Sequence, residues 1–403
     1  AENVSTSTLL QGIVSAYGAI ALLANSQGET SLDAQPKAVA YKLIGVAGFE
    51  DVSLPFTIHK AKLLSDVIDR KALADIDTVL EIQALAEAAS AVLANAAGNG
   101  TASVAQFKLL GLDVPADKLA DVTAAITETL NDGSEVDTFG ALSTIISSKL
   151  DAVDKAVGLI ASFADQNTVS QPTPTGTYKG EAPTAQTYVA AGVSGPVSDA
   201  EAQAFNDALA TSLVTYKSVD TAQEIKDLVA AYRAVLNLAD DAQSTGDNKP
   251  TALQYNLLGV SGFDPTDVMD VTNSANRASL LGDVIDQKVN ADVNTVLEIQ
   301  AMANNVAKVM NMAKGVDGLT LAALTQMGIT GVSADNLAAV KQAIDGTFDD
   351  GSGVNTLSKL QDVVTAKVTQ FSTALGVIQQ YAKSHEDPSQ PGADQPTVQN
   401  YLD

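Results

Sequence analysis

A stretch of about 24 residues occurs twice in the chain, and this repetition restricts the fold to one assembled from copies of a common element. The first copy is LLSDVIDRKALADIDTVLEIQALA, which begins at Leu63, and the second is LLGDVIDQKVNADVNTVLEIQAMA, which begins 217 residues later at Leu280. A second pair of similar stretches begins at Gly111 and Gly328, again 217 residues apart. Repeats of this kind bury their apolar faces against neighbouring copies.

A shorter period lies within the long one. The runs YKLIGV, FKLLGL, YVAAGV, YNLLGV and LTQMGI recur at intervals of 66, 81, 67 and 69 residues. Their glycines are Gly45, Gly111, Gly192, Gly259 and Gly328. A second marker is Val or Ile, then Asp, Asn or Ser, then Thr. Its threonines are Thr6, Thr78, Thr138, Thr221, Thr295 and Thr356. The repeat is therefore about 70 residues long and occurs five times.

Each repeat has the signals of three helices, A, B and C. Pro36, Pro183 and Pro250 are typical of the first position of helix A, and the recurring glycine is typical of its end. The threonine marker, followed by Glu in three copies, predicts a capping box at the start of helix C. Apolar residues in helix C then follow at steps of three and four. We therefore predict an all-α fold, a tandem array of three-helix bundles of roughly 70 residues.

The domain boundaries follow from the Pro-, Ser-, Thr- and Gly-rich joints between repeats. We predict a partial repeat (helix C only) at 1–28, repeat 1 at 29–97, repeat 2 at 98–167, a linker with repeat 3 at 168–247, repeat 4 at 248–315, repeat 5 at 316–385, and a linker with the start of another helix A at 386–403. Two interpretations of the incomplete ends stay open. The chain is a piece of a longer array, or the two ends complete each other between molecules.

Composition excludes several classes of partner. The formal net charge of −25 repels phosphate backbones and anionic lipid, so we predict neither nucleic-acid binding nor membrane insertion. No run of about 18 apolar residues is present to span a bilayer. The chain has no cysteine, which removes disulfides, thiol nucleophiles and Cys metal sites.

Residues able to perform catalysis are scarce. The two histidines, His59 and His385, are predicted to be surface residues, and none of the common catalytic or nucleotide-binding motifs is present. We therefore predict a protein that is not an enzyme. The tyrosines at 41, 188, 255 and 401 are predicted to be core residues, with a sugar-stacking stripe as the alternative.

Calcium is the one cofactor left open. The acidic loops NDGSEVDT from Asn131 and DDGSGVNT from Asp349 offer oxygen ligands. An EF-hand needs a bidentate Glu eleven residues after its first ligand, where this chain has Ser143 and Gln361. We therefore predict Asx turns before helix C and no cofactor.

The stretch MGITGVSADNLAAVKQAIDGTFDDGSGVNTLSKLQDVV, and a weaker copy from Leu110, resemble helical repeats of large secreted bacterial adhesins of the biofilm-associated and RTX types. The resemblance rests on four motifs: Gly followed by Ile or Leu and, three residues on, Val; the turn Ala-Asp-Asn-Leu or Ala-Asp-Lys-Leu; the acidic Gly-Ser loop; and the Val-x-Thr helix start. It covers repeats 2 and 5 best, repeats 1 and 4 moderately and repeat 3 poorly. A looser similarity to three-helix albumin-binding modules rests on the helix count and the LLGVS turn.

The resemblance implies export, a cell-surface or matrix location and a stalk or adhesive role. We therefore expect an extracellular structural or adhesive repeat protein whose partners are other copies of itself, joined head to tail into filaments, or other surface and matrix proteins. The alternative is a set of three-helix modules that bind a host protein or glycan. That alternative predicts one repeat with an unusual exposed apolar patch, and the divergent repeat 3 is the expected place for it.

Overall fold

The structure, a computed structural model, describes residues 7–25, 28, 34–168, 178–239, 248–264, 271–386 and 394–402. Within these residues it contains seventeen α-helices and no β-strand, so the predicted all-α class is confirmed. Asn25 and Ala72 form one isolated antiparallel bridge.

The helices fall into three length classes that recur in a fixed order along the chain. The short helices are Ala38–Leu43 (α2), Val104–Leu109 (α5), Ala185–Ala190 (α8), Ala252–Leu257 (α11) and Leu321–Gln326 (α14). Intermediate helices follow them at Pro55–Ile68 (α3), Leu119–Thr127 (α6), Asp199–Leu209 (α9), Val271–Asp286 (α12) and Leu337–Asp345 (α15). The long helices are Ser7–Leu23 (α1), Val79–Ala96 (α4), Phe139–Asn167 (α7), Ala222–Leu238 (α10), Val296–Ala313 (α13) and Leu357–Glu386 (α16).

A last short helix, Val398–Leu402 (α17), lies near the end of the chain. Four 3₁₀ turns, at Leu73–Asp75, Ala116–Lys118, Tyr216–Ser218 and Asn290–Asp292, complete the described secondary structure. Three of them follow an intermediate helix, and the one at Ala116–Lys118 precedes α6.

The chain divides into two compact bodies, Ala1–Lys155 and Ala156–Asp403, with the boundary inside α7. In the N-terminal body α1 packs on α2 and α3, α3 packs on α4, and α4 packs on α5 and α6. One cluster of buried side chains extends through this body from Ile20 to Ile146. The core therefore continues from one repeat into the next.

The C-terminal body has the same succession of contacts. The helix α10 packs on α9 before it and on α11 and α12 after it, and α13 packs on α12, α14 and α15. The helix α16 packs on α15 and α17. A long helix in this arrangement needs apolar residues on more than one face, which explains why α4 buries Ile82, Leu85, Val92 and Leu93 as well as several alanines.

The long helices begin where the threonine marker places them. Thr78, Thr221 and Thr295 each accept a hydrogen bond from the backbone N–H of the glutamate three residues later, which closes a capping box. Thr138 and Thr356 accept from Ala141 N and Lys359 N. Thr6 lies outside the described residues.

The prolines are not at the first helical position, and this corrects the prediction. Pro183 and Pro250 each precede the N-cap residue, and the caps are Thr184 and Thr251, whose side chains accept the N3 amide. The threonine side chain accepts from an amide of the first turn, which proline cannot do, so each helix begins two residues after the proline.

The five recurring glycines all have left-handed backbone angles, with φ between +76° and +92°. After each of them the next backbone N–H reaches back to a carbonyl of helix A, as when Val46 N donates to Tyr41 O and Val260 N donates to Tyr255 O. This pairing is the Schellman arrangement that ends a helix, and an L side chain is strained there.

Two of these glycines differ in their surroundings and provide a matched test. A Cβ at Gly45 would meet no atom within 4 Å, whereas a Cβ at Gly259 would lie 2.6 Å from the Cβ of the buried Thr211. We expect Gly45→Ala to cost about 1 kcal/mol from the left-handed conformation alone. Gly259→Ala should cost clearly more, because it adds this steric overlap.

Hydrogen exchange of the amides in α2 and α11 measures both effects locally. Equal loss of protection in the two variants would contradict the proposed close packing between Gly259 and Thr211.

Candidate functional site

The residue one turn before each recurring glycine is buried, and it is aromatic in four repeats and Leu324 in the fifth. Tyr41, Tyr188 and Tyr255 are fully buried, whereas Tyr401 on α17 is 65% exposed. Tyr41 donates its hydroxyl hydrogen to Ser65 Oγ at 2.7 Å, and Ser65 in turn donates to the carbonyl of Pro36 at 2.8 Å. Burial raises the pKa of Tyr41 well above its usual value, so this hydroxyl stays protonated and remains a donor at neutral pH.

Repeat 3 builds the same connection with a different residue. Tyr188 donates to Asn206 Oδ1 at 2.7 Å, and Asn206 Nδ2 donates to the carbonyl of Pro183 at 2.9 Å. In both repeats a polar side chain of the intermediate helix therefore joins the tyrosine of the short helix to the proline carbonyl before it.

Repeat 4 lacks this connection. The residue equivalent to Ser65 is Gly282, and the hydroxyl of Tyr255 has no hydrogen-bond partner within the described part of the chain. Burial raises the pKa of Tyr255 too, so the group is a protonated donor without an acceptor. An unpaired buried hydroxyl is unfavourable, and replacing it by hydrogen costs little.

Tyr41→Phe and Tyr255→Phe should therefore differ in their effect on stability. We expect Tyr41→Phe to lose about 1 kcal/mol, since it removes a made hydrogen bond, and Tyr255→Phe to be neutral or stabilising. Gly282→Ser is not a clean rescue of the missing bond, because a Cβ at Gly282 would lie 3.0 Å from the Cβ of Lys249 and would displace that side chain.

Local hydrogen exchange in α2 and α11 is again the measurement, with the wild-type chain as the reference. A loss of protection at α11 in Tyr255→Phe as large as that at α2 in Tyr41→Phe would show that the Tyr255 hydroxyl has a partner after all.

His59 is half-buried and hydrogen-bonded, and this corrects the prediction that it is a surface residue. Its Nδ1 lies 2.7 Å from Asp137 Oδ2, and Lys62 Nζ lies 2.9 Å from both oxygens of the same carboxylate. The side chains of His59 and Asp137 are 20% and 5% exposed. One carboxylate thus connects α3 to the loop before α7.

His385 is exposed, as predicted, and its ring packs against Tyr381.

The equivalent place in the C-terminal body holds amides instead of charges. Asn276 stands at the position of His59, donates to the carbonyl of Asp350 at 2.7 Å and accepts from Asn355 Nδ2 at 2.8 Å.

A second contact is kept in both bodies. Asp66 accepts from Phe139 N, and Asp283 accepts from Leu357 N, so a carboxylate of the intermediate helix caps a long helix further along the chain.

The acidic loops form Asx turns. Asp132 Oδ1 accepts from Ser134 N at 2.9 Å, and Asp350 Oδ1 accepts from Ser352 N at 2.8 Å. Hydrogen bonds from Ser134 and Ser352 lower the pKa of Asp132 and Asp350, respectively. The described residues contain no group of three or more His, Asp or Glu placed to hold a metal ion.

These loops should need ionised carboxylates for their geometry and no calcium. We expect EDTA to leave the melting temperature at pH 7 unchanged. Because the folded pKa values are lowered, the contribution to stability is present above pH about 4 and is lost as the pH falls through the lower folded values.

Differential scanning calorimetry with and without EDTA, and from pH 6 to pH 3, measures both effects. A chelator-sensitive shift that disappears with Asp132→Ala and Asp350→Ala would show that calcium is bound.

Two surface grooves occupy equivalent places in repeats 1 and 4. Groove 1, of about 340 Å³, lies between residues 35–39, Val52, and Ile58, Ala61 and Lys62 of α3. Groove 2, of about 470 Å³, lies between residues 249–253, Asp264, and Ser274, Ala275, Ala278 and Ser279 of α12. In each, the start of a short helix and one face of the following intermediate helix form the walls.

Exposed apolar side chains concentrate in repeat 1 and not in repeat 3. Among the described residues, seven large ones are exposed in repeat 1: Val39, Leu54, Phe56, Ile58, Leu73, Val79 and Leu80. Repeat 3 has three: Val189, Leu213 and Tyr216. Among the described residues, repeat 1 and not repeat 3 therefore has the larger number of exposed apolar side chains, and two of them, Val39 and Ile58, line groove 1.

Comparison with protein-family models, with curated proteins and with solved structures gives no match to this chain. One described helix, Val79–Ala96, is long and apolar enough to cross a membrane by length and composition. Half of this helix is buried, and the core helices of proteins share this length and composition.

Proposed function

We propose that the chain is a non-enzymatic structural or adhesive repeat protein of the cell surface or extracellular matrix, built as a tandem array of three-helix repeats. The observation that carries this proposal is the packing of the long helices. Both α10 and α13 contact an intermediate helix before them and the short and intermediate helices after them. Each repeat thus continues the core of the previous one, which is the construction principle of repeat arrays.

Charge and composition support an extracellular stalk or matrix role. The net charge of −25 keeps such an array soluble and disfavours collapse onto itself. The residues brought together at the candidate site, His59, Lys62 and Asp137, stabilise the contact between α3 and the loop before α7. The five recurring glycines all have positive φ where the short helices end, and the five described marker threonines stand where the long helices begin.

Self-association is the partner interaction that we propose for the structural role. Val14 on α1 is 64% exposed, and Leu10 on the same face is also exposed. Counted from the threonine markers at 6 and 78, Leu10 corresponds to Ile82 of α4 and Val14 corresponds to Ala86, and both of these α4 residues are buried. An apolar face that other long helices bury favours a contact with the helices of another repeat.

The test is to display the chain on a bacterium that does not aggregate and to measure sedimentation of the cell suspension. We expect aggregation, and we expect Val14→Asp to abolish it. Ser15→Asp is the matched control, because it adds the same charge to an exposed position next along α1. Cells that stay dispersed, together with purified protein that is monomeric and compact in light scattering and electron microscopy, would refute the proposal.

The alternative is a binding module for a host protein or glycan. The excess of exposed apolar side chains in repeat 1 favours it. On this alternative, repeat 1 alone carries recognition, and the remaining repeats position it.

A further inference from the structure

One apolar face of α1 is uncovered, although the same face of the other described long helices is buried. The positions four and eight residues after the marker threonine lie on this face. In α1 they are Leu10 and Val14, and both side chains are exposed. In the five other long helices both positions are buried: Ile82 and Ala86, Leu142 and Ile146, Ile225 and Val229, Ile299 and Ala303, and Leu360 and Val364.

The helix that α1 lacks is an intermediate one. The long helices α4, α10, α13 and α16 each pack on the intermediate helix that precedes them, which is α3, α9, α12 and α15, respectively. Among the described residues no helix precedes α1, and its contacts are with α2 and α3, which follow it. The exposed face of α1 therefore corresponds to the place of a preceding intermediate helix.

Tyr17 indicates which kind of intermediate helix fits this face. It follows Leu10 and Val14 on the same side of α1, and its equivalent in α10, eleven residues after the marker threonine, is Tyr232. Tyr232 is buried, and its ring meets that of Phe205 on α9 edge to face, with the ring centroids 5.8 Å apart. The face of α10 that matches the exposed face of α1 is thus in contact with α9.

The aromatic pair distinguishes repeat 3 from repeats 1 and 4. At the position of Phe205, repeats 1 and 4 have Leu64 and Leu281, and at the position of Tyr232 they have Ala89 and Val306. A tyrosine on the long helix therefore occurs together with a phenylalanine on the intermediate helix. Aromatic rings favour such edge contacts, so Tyr17 favours a docking helix with phenylalanine at this position.

The charge of α1 suits an acidic partner helix. The helix Ser7–Leu23 contains no charged residue. The helix α9 carries Asp199, Glu201 and Asp207 and no basic residue. An uncharged surface accepts such a helix without the like-charge repulsion that a chain of net charge −25 otherwise imposes.

We propose that the open face of α1, formed by Leu10, Val14 and Tyr17, is the docking site for an intermediate helix of another three-helix repeat, one with the pattern of α9. The apolar side chains of that helix cover Leu10 and Val14, and its phenylalanine meets the ring of Tyr17. Burial of apolar surface drives the contact. This inference rests on the proposed function, because it names the partner through which one repeat continues the core of another.

The experiment places a copy of α8 and α9 in front of α1. A second copy of residues 178–220 replaces residues 1–5 of the full chain, so that Thr6 takes the place of Thr221. Hydrogen exchange is then compared in the grafted and the original chain, with α13 as the reference. We expect exchange in α1 to slow at least about tenfold, since a helix with its apolar face buried opens less often.

Two substitutions in the grafted chain test whether the open face is responsible. Val14→Asp should abolish the slower exchange, because it places a charge in the new contact. Leu22→Asp is the matched control, since it adds the same charge to an exposed position of α1 that is Asn237 in α10. Equal effects of the two substitutions would contradict docking at this face.

The aromatic contact has its own test. Phe205→Leu, made in the grafted copy alone, should lose part of the slower exchange in a chain with Tyr17 and none in the Tyr17→Val variant, which has the leucine and valine of repeat 4. Equal losses in both backgrounds would show that Tyr17 does not select the docking helix.

A peptide of residues 178–220, added to the original chain, is the second measurement. It should shift the methyl resonances of Leu10 and Val14 and leave those of Leu22 unchanged. Unchanged exchange in the graft together with no shift from the peptide would overturn the proposal. Saturable binding of the original chain to phosphatidylcholine vesicles through Leu10 and Val14 would show that the face meets lipid instead, and a dimer with protected α1 would assign it to a second α1.

This proposal and the proposed function can fail separately. Cells that stay dispersed while the graft slows exchange in α1 would contradict self-association between cells and keep the docking site. Cells that aggregate through Val14 while neither the graft nor the peptide has an effect would contradict the docking of an intermediate helix alone.

Discussion

The long helix shared between consecutive repeats is the contact on which the rest of the structure depends. In the N-terminal body α4 packs on α3 before it and on α5 and α6 after it, so its apolar side chains serve two repeats. Buried alanines such as Ala86 and Ala89 let neighbouring helices approach closely. Without this sharing, a repeat of about 70 residues would have only a small core of its own.

Polar side chains fix the positions that apolar packing leaves loosely defined. The hydroxyl of Tyr17 on α1 donates to the carbonyl of Asp77, and Asp66 on α3 caps α7. Such bonds connect residues 60 and 73 positions apart, so they specify which helices meet. They differ between repeats, as Ser65, Asn206 and Gly282 show at one equivalent position, and among the described residues the Tyr255 hydroxyl of repeat 4 has no partner.

The sequence predicted the features that depend on neighbouring residues. Thr78 with Glu81, and Gly45 before Val46, are local signals for a helix start and a helix end, and both act where the pattern places them. It could not predict the contact of His59 with Asp137, because 78 residues separate them and no local pattern records that pairing. The same limit applies to groove 1, whose walls come from two helices and a loop.

Function in such an array is best sought where equivalent positions differ. The glycines and capping threonines maintain one backbone path, so they say little about what a repeat binds. A residue that lines a groove changes the charge of that groove while the backbone keeps its course. Lys37 and Thr251 differ in this way at the start of α2 and α11. His59 and Asn276 differ in the same way, since one forms a charged cluster and the other a neutral amide pair. Repeat 1 has both of these charged residues together with the largest number of exposed apolar side chains among the described residues, so it is the repeat in which the proposed alternative, a binding module, is to be tested first.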